Sequence, residues 1–125
     1  TTGHVLVDNL YPAADGGALL CGFFRESATF WGEAQWSIVA GIETSDAYFA
    51  RYSASGEPLW LTKAGNADDD RCRHISMDGG RVFTTGMIGY GYDWTSDAVF
   101  GAGEPNETHI PIDGFSEGFL AAFAF

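Results

Sequence analysis

The chain repeats itself, and internal repetition restricts a fold more than any single motif does. Ser45-Asp46-Ala47-Tyr48-Phe49-Ala50-Arg51-Tyr52 recurs as Ser116-Glu117-Gly118-Phe119-Leu120-Ala121-Ala122-Phe123. The order acid, small, aromatic, apolar, alanine, variable, aromatic is kept. Upstream, Asp15-Gly16-Gly17-Ala18-Leu19-Leu20-Cys21-Gly22 parallels Asp78-Gly79-Gly80-Arg81-Val82-Phe83-Thr84-Thr85-Gly86 with one extra residue. Between these, Ser27-Ala28-Thr29-Phe30 matches Asp97-Ala98-Val99-Phe100. The offset grows from 64 (Gly22 to Gly86) to 71 (Ser45 to Ser116), because the second copy carries an extra loop around Gly89-Tyr90-Gly91-Tyr92-Asp93-Trp94. The 125 residues therefore read as one domain of two imperfect units, approximately 1–53 and 54–125. A unit of this size cannot hide its apolar face alone and must stack on a neighbour.

The units are made of strands. Residues 18–24, 27–31, 35–40, 47–53, 58–63, 72–77, 81–87, 97–100, 108–112 and 118–125 are short, rich in aromatic and small or β-branched residues, and separated by turn pairs such as Gly16-Gly17, Ser55-Gly56 and Gly79-Gly80. Residues 65–70 read as a polar loop. No window carries a 3.6-residue apolar period, so the expected class is all-β. No run of about 18 apolar residues exists to span a membrane as a helix. The strongly apolar segment 118–125 is expected to pair with the N-terminal half or with a neighbouring subunit. The start, Thr1-Thr2-Gly3-His4, has no basic segment followed by an apolar one, so any secretory leader is expected to have been removed.

The stretch Asp46-Ala47-Tyr48-Phe49-Ala50-Arg51-Tyr52-Ser53-Ala54-Ser55-Gly56-Glu57-Pro58-Leu59-Trp60, followed by Asn66-Ala67-Asp68-Asp69-Asp70, Ile75-Ser76-Met77-Asp78-Gly79-Gly80 and Val82-Phe83-Thr84-Thr85-Gly86, resembles the bacterial SBBP-type β-propeller repeat. That resemblance covers nearly the whole chain. It implies antiparallel four-stranded, propeller-blade-like sheets, in secreted or cell-surface proteins, and no catalytic residues. A closed propeller needs about 4–8 blades, so the resemblance also implies completion by oligomerisation, by a larger parent protein, or by rearrangement of the hairpins into a small sandwich.

Charge narrows the partners. Seventeen acidic residues against six basic ones give a net charge of −11, which repels phosphate backbones. Nucleic acids and anionic membranes are poor partners; cations, basic proteins and neutral glycans stay open, and the simplest reading is solubility of an aromatic-rich chain. Cys21 and Cys72 lack metal-site spacing and leave two readings, a disulfide between them or a buried thiol at Cys21.

The candidate sites are few. Asp68-Asp69-Asp70 could offer oxygen ligands to Ca²⁺, but without the spaced ligands of a calcium loop; a turn in which Asp binds nearby amides is the simpler reading. Tyr90, Tyr92, Asp93 and Trp94 combine aromatic faces with a carboxylate, a pattern suited to sugars, and equally suited to packing or a subunit contact. Trp31, Trp36 and Trp60 read as core or inter-sheet packing. His4, His74 and His109 share no ligand spacing, and no nucleophile elbow, phosphate loop or zinc-helix motif occurs. Asn106-Glu107-Thr108 is a glycosylation sequon. These features point to a non-enzymatic extracellular structural or assembly module without a cofactor, whose partner is itself (a homo-oligomer or filament) or a larger surface assembly. The alternatives are a carbohydrate-binding, lectin-like module and a fragment of a propeller hydrolase or lyase.

Overall fold

The computed structural model describes residues 3–33, 35–40, 44–90, 97–112 and 117–124, apart from the side chain of Tyr90. Runs of aromatic, alanine and β-branched residues, cut by glycine turns, give eleven strands and no helix among the described residues. They are β1 (His4–Pro12), β2 (Ala18–Arg25), β3 (Ser27–Phe30), β4 (Trp36–Val39), β5 (Ser45–Tyr52), β6 (Pro58–Gly65), β7 (Asp69–Asp78), β8 (Arg81–Tyr90), β9 (Ala98–Phe100), β10 (Thr108–Ile110) and β11 (Glu117–Ala124). All pairings among the described residues are antiparallel, and the fold is all-β.

The strands form three sheets, ordered β1-β2-β5-β6-β9-β10, β11-β8-β7 and β3-β4, none of them closed into a barrel among the described residues. The expected sheets of four strands are therefore not what is seen. Two pairings account for this: β6, which the sequence boundary at 53/54 places in the second unit, pairs with β5 and so joins the sheet of the first, and β9 hydrogen-bonds to β6 through Ala64↔Phe100 and Gly65↔Val99, so a hairpin of the second unit extends that sheet. Of the two partners expected for segment 118–125, the N-terminal half is not the one that β11 pairs with. Its backbone partner is β8, within its own unit, and side chains of its inward face, Phe119 and Phe123 among them, pack on Phe49 of the N-terminal half.

Register shows how closely the two units correspond. In the first, β1, β2 and β5 lie side by side with Val7↔Gly22↔Tyr48 in one row. In the second, β7, β8 and β11 do the same with Cys72↔Gly86↔Phe119. Both first strands carry a bulge just after that row, between Val7 and Asn9 and between Cys72 and His74. The row explains its glycines, because a Cβ on Gly22 would collide with the carbonyl of Leu6 and one on Gly86 with that of Arg71. The hairpins correspond too: Ala28↔Ile38 and Phe30↔Trp36 in one, Ala98↔Ile110 and Phe100↔Thr108 in the other. Each hairpin lays a phenylalanine on the central aromatic of its unit, Phe30 on Tyr48 (5.1 Å) and Phe100 on Phe119 (5.3 Å).

Two cores lie on opposite faces of the large sheet. One joins Leu19, Cys21 and Phe49 to Cys72, Ile75 and Val82 of the second sheet. The other, made of Phe24, Ala28, Phe30, Tyr48 and Ala50, lies beneath the β3-β4 hairpin. Burying the fully enclosed Phe24 and Phe49 contributes about 1.5–3 kcal/mol each. Trp36 and Trp60 pack against these cores, but Trp31 does not: it is 66% exposed, since it follows the last paired residue of β3 and leaves the sheet.

Candidate functional site

Residues 65–70, expected as a polar loop, are mostly strand ends, since Gly65 closes β6 and Asp69 and Asp70 open β7, and the acidic run there ties neighbouring strands together. Asp70 is fully buried and accepts hydrogen bonds from the backbone amides of Asn66 (2.7 Å) and Gly89 (2.8 Å), tying the start of β7 to the end of β8. Burial, aided by the nearby charges of Asp46 and Asp68, pushes its pKa up to about 7 against the pull of those amides. Asp69 points elsewhere, accepting from the amide and hydroxyl of Ser45 (both 2.9 Å). The amide of Asp68 donates to the side chain of Asn66, closing an Asx turn (2.9 Å). Asp69 and Asp70 thus turn to different partners, and no group of three His, Cys, Asp or Glu placed to hold a metal occurs among the described residues. Gly65 is squeezed between carboxylates, since a Cβ there would lie 2.6 Å from an Asp46 oxygen and 2.7 Å from an Asp70 oxygen. Asp46 pairs with Lys63 (3.0 Å), and its burial raises its pKa.

Cys21 and Cys72 form a disulfide, with both residues fully buried and Cα atoms 5.7 Å apart. It ties β2 of the first unit to β7 of the second. Beside it, Arg71 makes two 2.5 Å hydrogen bonds to Asp8 and sits over the Phe23 ring at 4.5 Å. A pocket of about 290 Å³ opens there, lined by Phe23, Met87 and three of the chain's six basic residues, Arg25, Arg71 and Arg73. Nothing in the spacing of these arginines marks them in sequence. They meet because the two sheets do. Two of them are already engaged, Arg71 with Asp8 and Arg25 with Asp69 at 3.7 Å.

Of the aromatic loop, Tyr92, Asp93 and Trp94 lie outside the described residues, and of Tyr90 only the backbone, at the end of β8, is described. Asn106 of the sequon is exposed in the turn before β10, and its carbonyl accepts from the Thr108 hydroxyl at 3.1 Å. His109 lies 2.5 Å from Glu107, on the exposed hairpin.

The most distinctive arrangement is at the two ends of the stack. Where the second unit meets the first, Cys72 and Ile75 are 0% and 3% exposed; their register counterparts in the first unit, Val7 and Leu10, are 54% and 57% exposed. At the other end Leu120 is 74% exposed, although its counterpart Phe49 is wholly buried against the second unit. The molecule thus presents, at opposite ends, the two halves of the contact that it makes inside itself. No protein-family model, curated protein or solved structure matches the chain.

Proposed function

We propose that this chain is a non-catalytic, extracellular-type assembly module of propeller-like units, in which copies stack head to tail through the contact that already joins unit to unit. One observation carries the reading: Val7 and Leu10 at one end, and Leu120 at the other, occupy positions that are buried wherever two units meet. Ends that are unlike but complementary give heterologous association, which closes into a ring or continues as a filament. Exposed apolar residues at matched positions suit this use. The four-strand meander β1-β2-β5-β6 supports the likeness to a propeller blade. A buried disulfide between the units agrees with an oxidising compartment.

The test copies the internal bond. Cys21 corresponds in register to Thr85, and Cys72 to Val7. A chain carrying both Val7→Cys and Thr85→Cys, oxidised at a salt concentration high enough to screen the net charge of −11, is expected to give a covalent ladder of multimers on a non-reducing gel. Either substitution alone should stop at the dimer. A double variant that stays monomeric at concentrations where the parent chain is also monomeric by sedimentation overturns the proposal.

A further inference from the structure

We infer a second, distinct docking site: the outward edge of β11 accepts an extended peptide strand with the pattern of β6. The inference deepens the assembly reading by naming the partner for one site, and it rests on the correspondence between the units. In the first unit β5 has partners on both sides, β2 and β6. In the second its counterpart β11 is paired with β8 alone among the described residues, leaving a row of backbone donors and acceptors along one edge.

What that edge would hold is shown by β6. Opposite Ala50, Leu61 of β6 packs into the core of Tyr48, Phe30 and Ile38; two residues on, Lys63 stands opposite Tyr48 and binds Asp46 at 3.0 Å. The second unit repeats the receiving half of this arrangement. Ala121 replaces Ala50, Phe119 replaces Tyr48, Phe100 replaces Phe30 and Ile110 replaces Ile38. Around these residues and Phe123 lies a pocket of about 220 Å³, where the first unit holds the Leu61 side chain. Glu117 takes the place of Asp46 and makes no ion pair among the described residues. The site therefore calls for an extended segment with leucine opposite Ala121 and a cation two residues later, opposite Phe119. Main-chain bonds would supply affinity, and the pocket and Glu117 the register.

A synthetic peptide of residues 56–65 (Gly-Glu-Pro-Leu-Trp-Leu-Thr-Lys-Ala-Gly) is the probe, with the intact chain as receptor. Saturable one-to-one binding is expected, with a dissociation constant on the order of tens of micromolar, and with slowed amide exchange confined to β11 and the facing hairpin. The Leu61→Asp peptide should bind at least about tenfold more weakly. The Lys63→Glu peptide should lose roughly threefold, a loss that shrinks as salt rises. Protection on β5 accompanied by release of β6 would mean strand exchange in the first unit and overturns the inference. So does equal binding of the Leu61→Asp peptide, or no binding. The cross-linking ladder reports on the sheet faces and not on this edge, so the two readings fail separately.

Discussion

Phe49 and Leu120 sit at the same register of corresponding strands, yet Phe49 is wholly buried and Leu120 is 74% exposed. The same contrast runs through Leu10 and Ile75, and through Val7 and Cys72. Strand order, bulge and glycine row are shared by the two units, so none of these decides burial. The neighbour does. The first unit has the second against its rear face, whereas the rear face of the second has no covering layer among the described residues.

Truncating Phe49 and Leu120 separately tests whether the neighbour decides their burial. Phe49→Ala should cost about 3–5 kcal/mol of stability in chemical denaturation, whereas Leu120→Ala should stay within about 0.5 kcal/mol in dilute monomer. A Leu120 cost that grows with protein concentration would instead report a covered rear face, as stacking requires. Removing the bond between the units comes next. Cys21→Ala with Cys72→Ala opens a cross-link that spans 51 residues, for which chain entropy gives about 4 kcal/mol. A single cooperative melt shifted downward is expected; two separate melts would show that the units fold independently.

The smallest effect concerns the acid that joins β7 to β8. Asp70 has a folded pKa of about 7, above its unfolded value near 3.8, so the folded state holds the proton more tightly. Its penalty is fully present above pH 7 and is relieved as the pH falls toward 4. Between pH 8 and pH 5 this group should add roughly 2–3 kcal/mol of stability, measured as a rise in Tm. Asp70→Asn should flatten that rise, and an unchanged slope would place the titration elsewhere, with Asp46 the nearest candidate because burial raises its pKa as well.

Much of the architecture was legible along the chain. The Asp-Gly-Gly turns, the paired aromatics Tyr48 and Phe119, and the shared Ala-x-Phe of the hairpins appear in sequence as they do in space, because each answers to local geometry. Strand β1 was not legible. Asp8 and Asn9 interrupt its apolar run like a turn, and only the fold shows why: Asp8 receives Arg71, and the side chain of Asn9 accepts from the Ile75 amide at 3.0 Å, across the bulge. Trp31 was misleading in the other direction, since an aromatic beside a strand looks like core until the strand's last pairing is known.

By itself, then, the sequence determined an antiparallel all-β chain of two like units, since turn chemistry and alternating side chains act over a few residues. Which of two equivalent positions is buried, and which cysteines and arginines meet, was settled only by the tertiary structure. Those outcomes depend on what lies across a sheet face, between residues roughly fifty or more apart in the chain, and no local pattern carries that information.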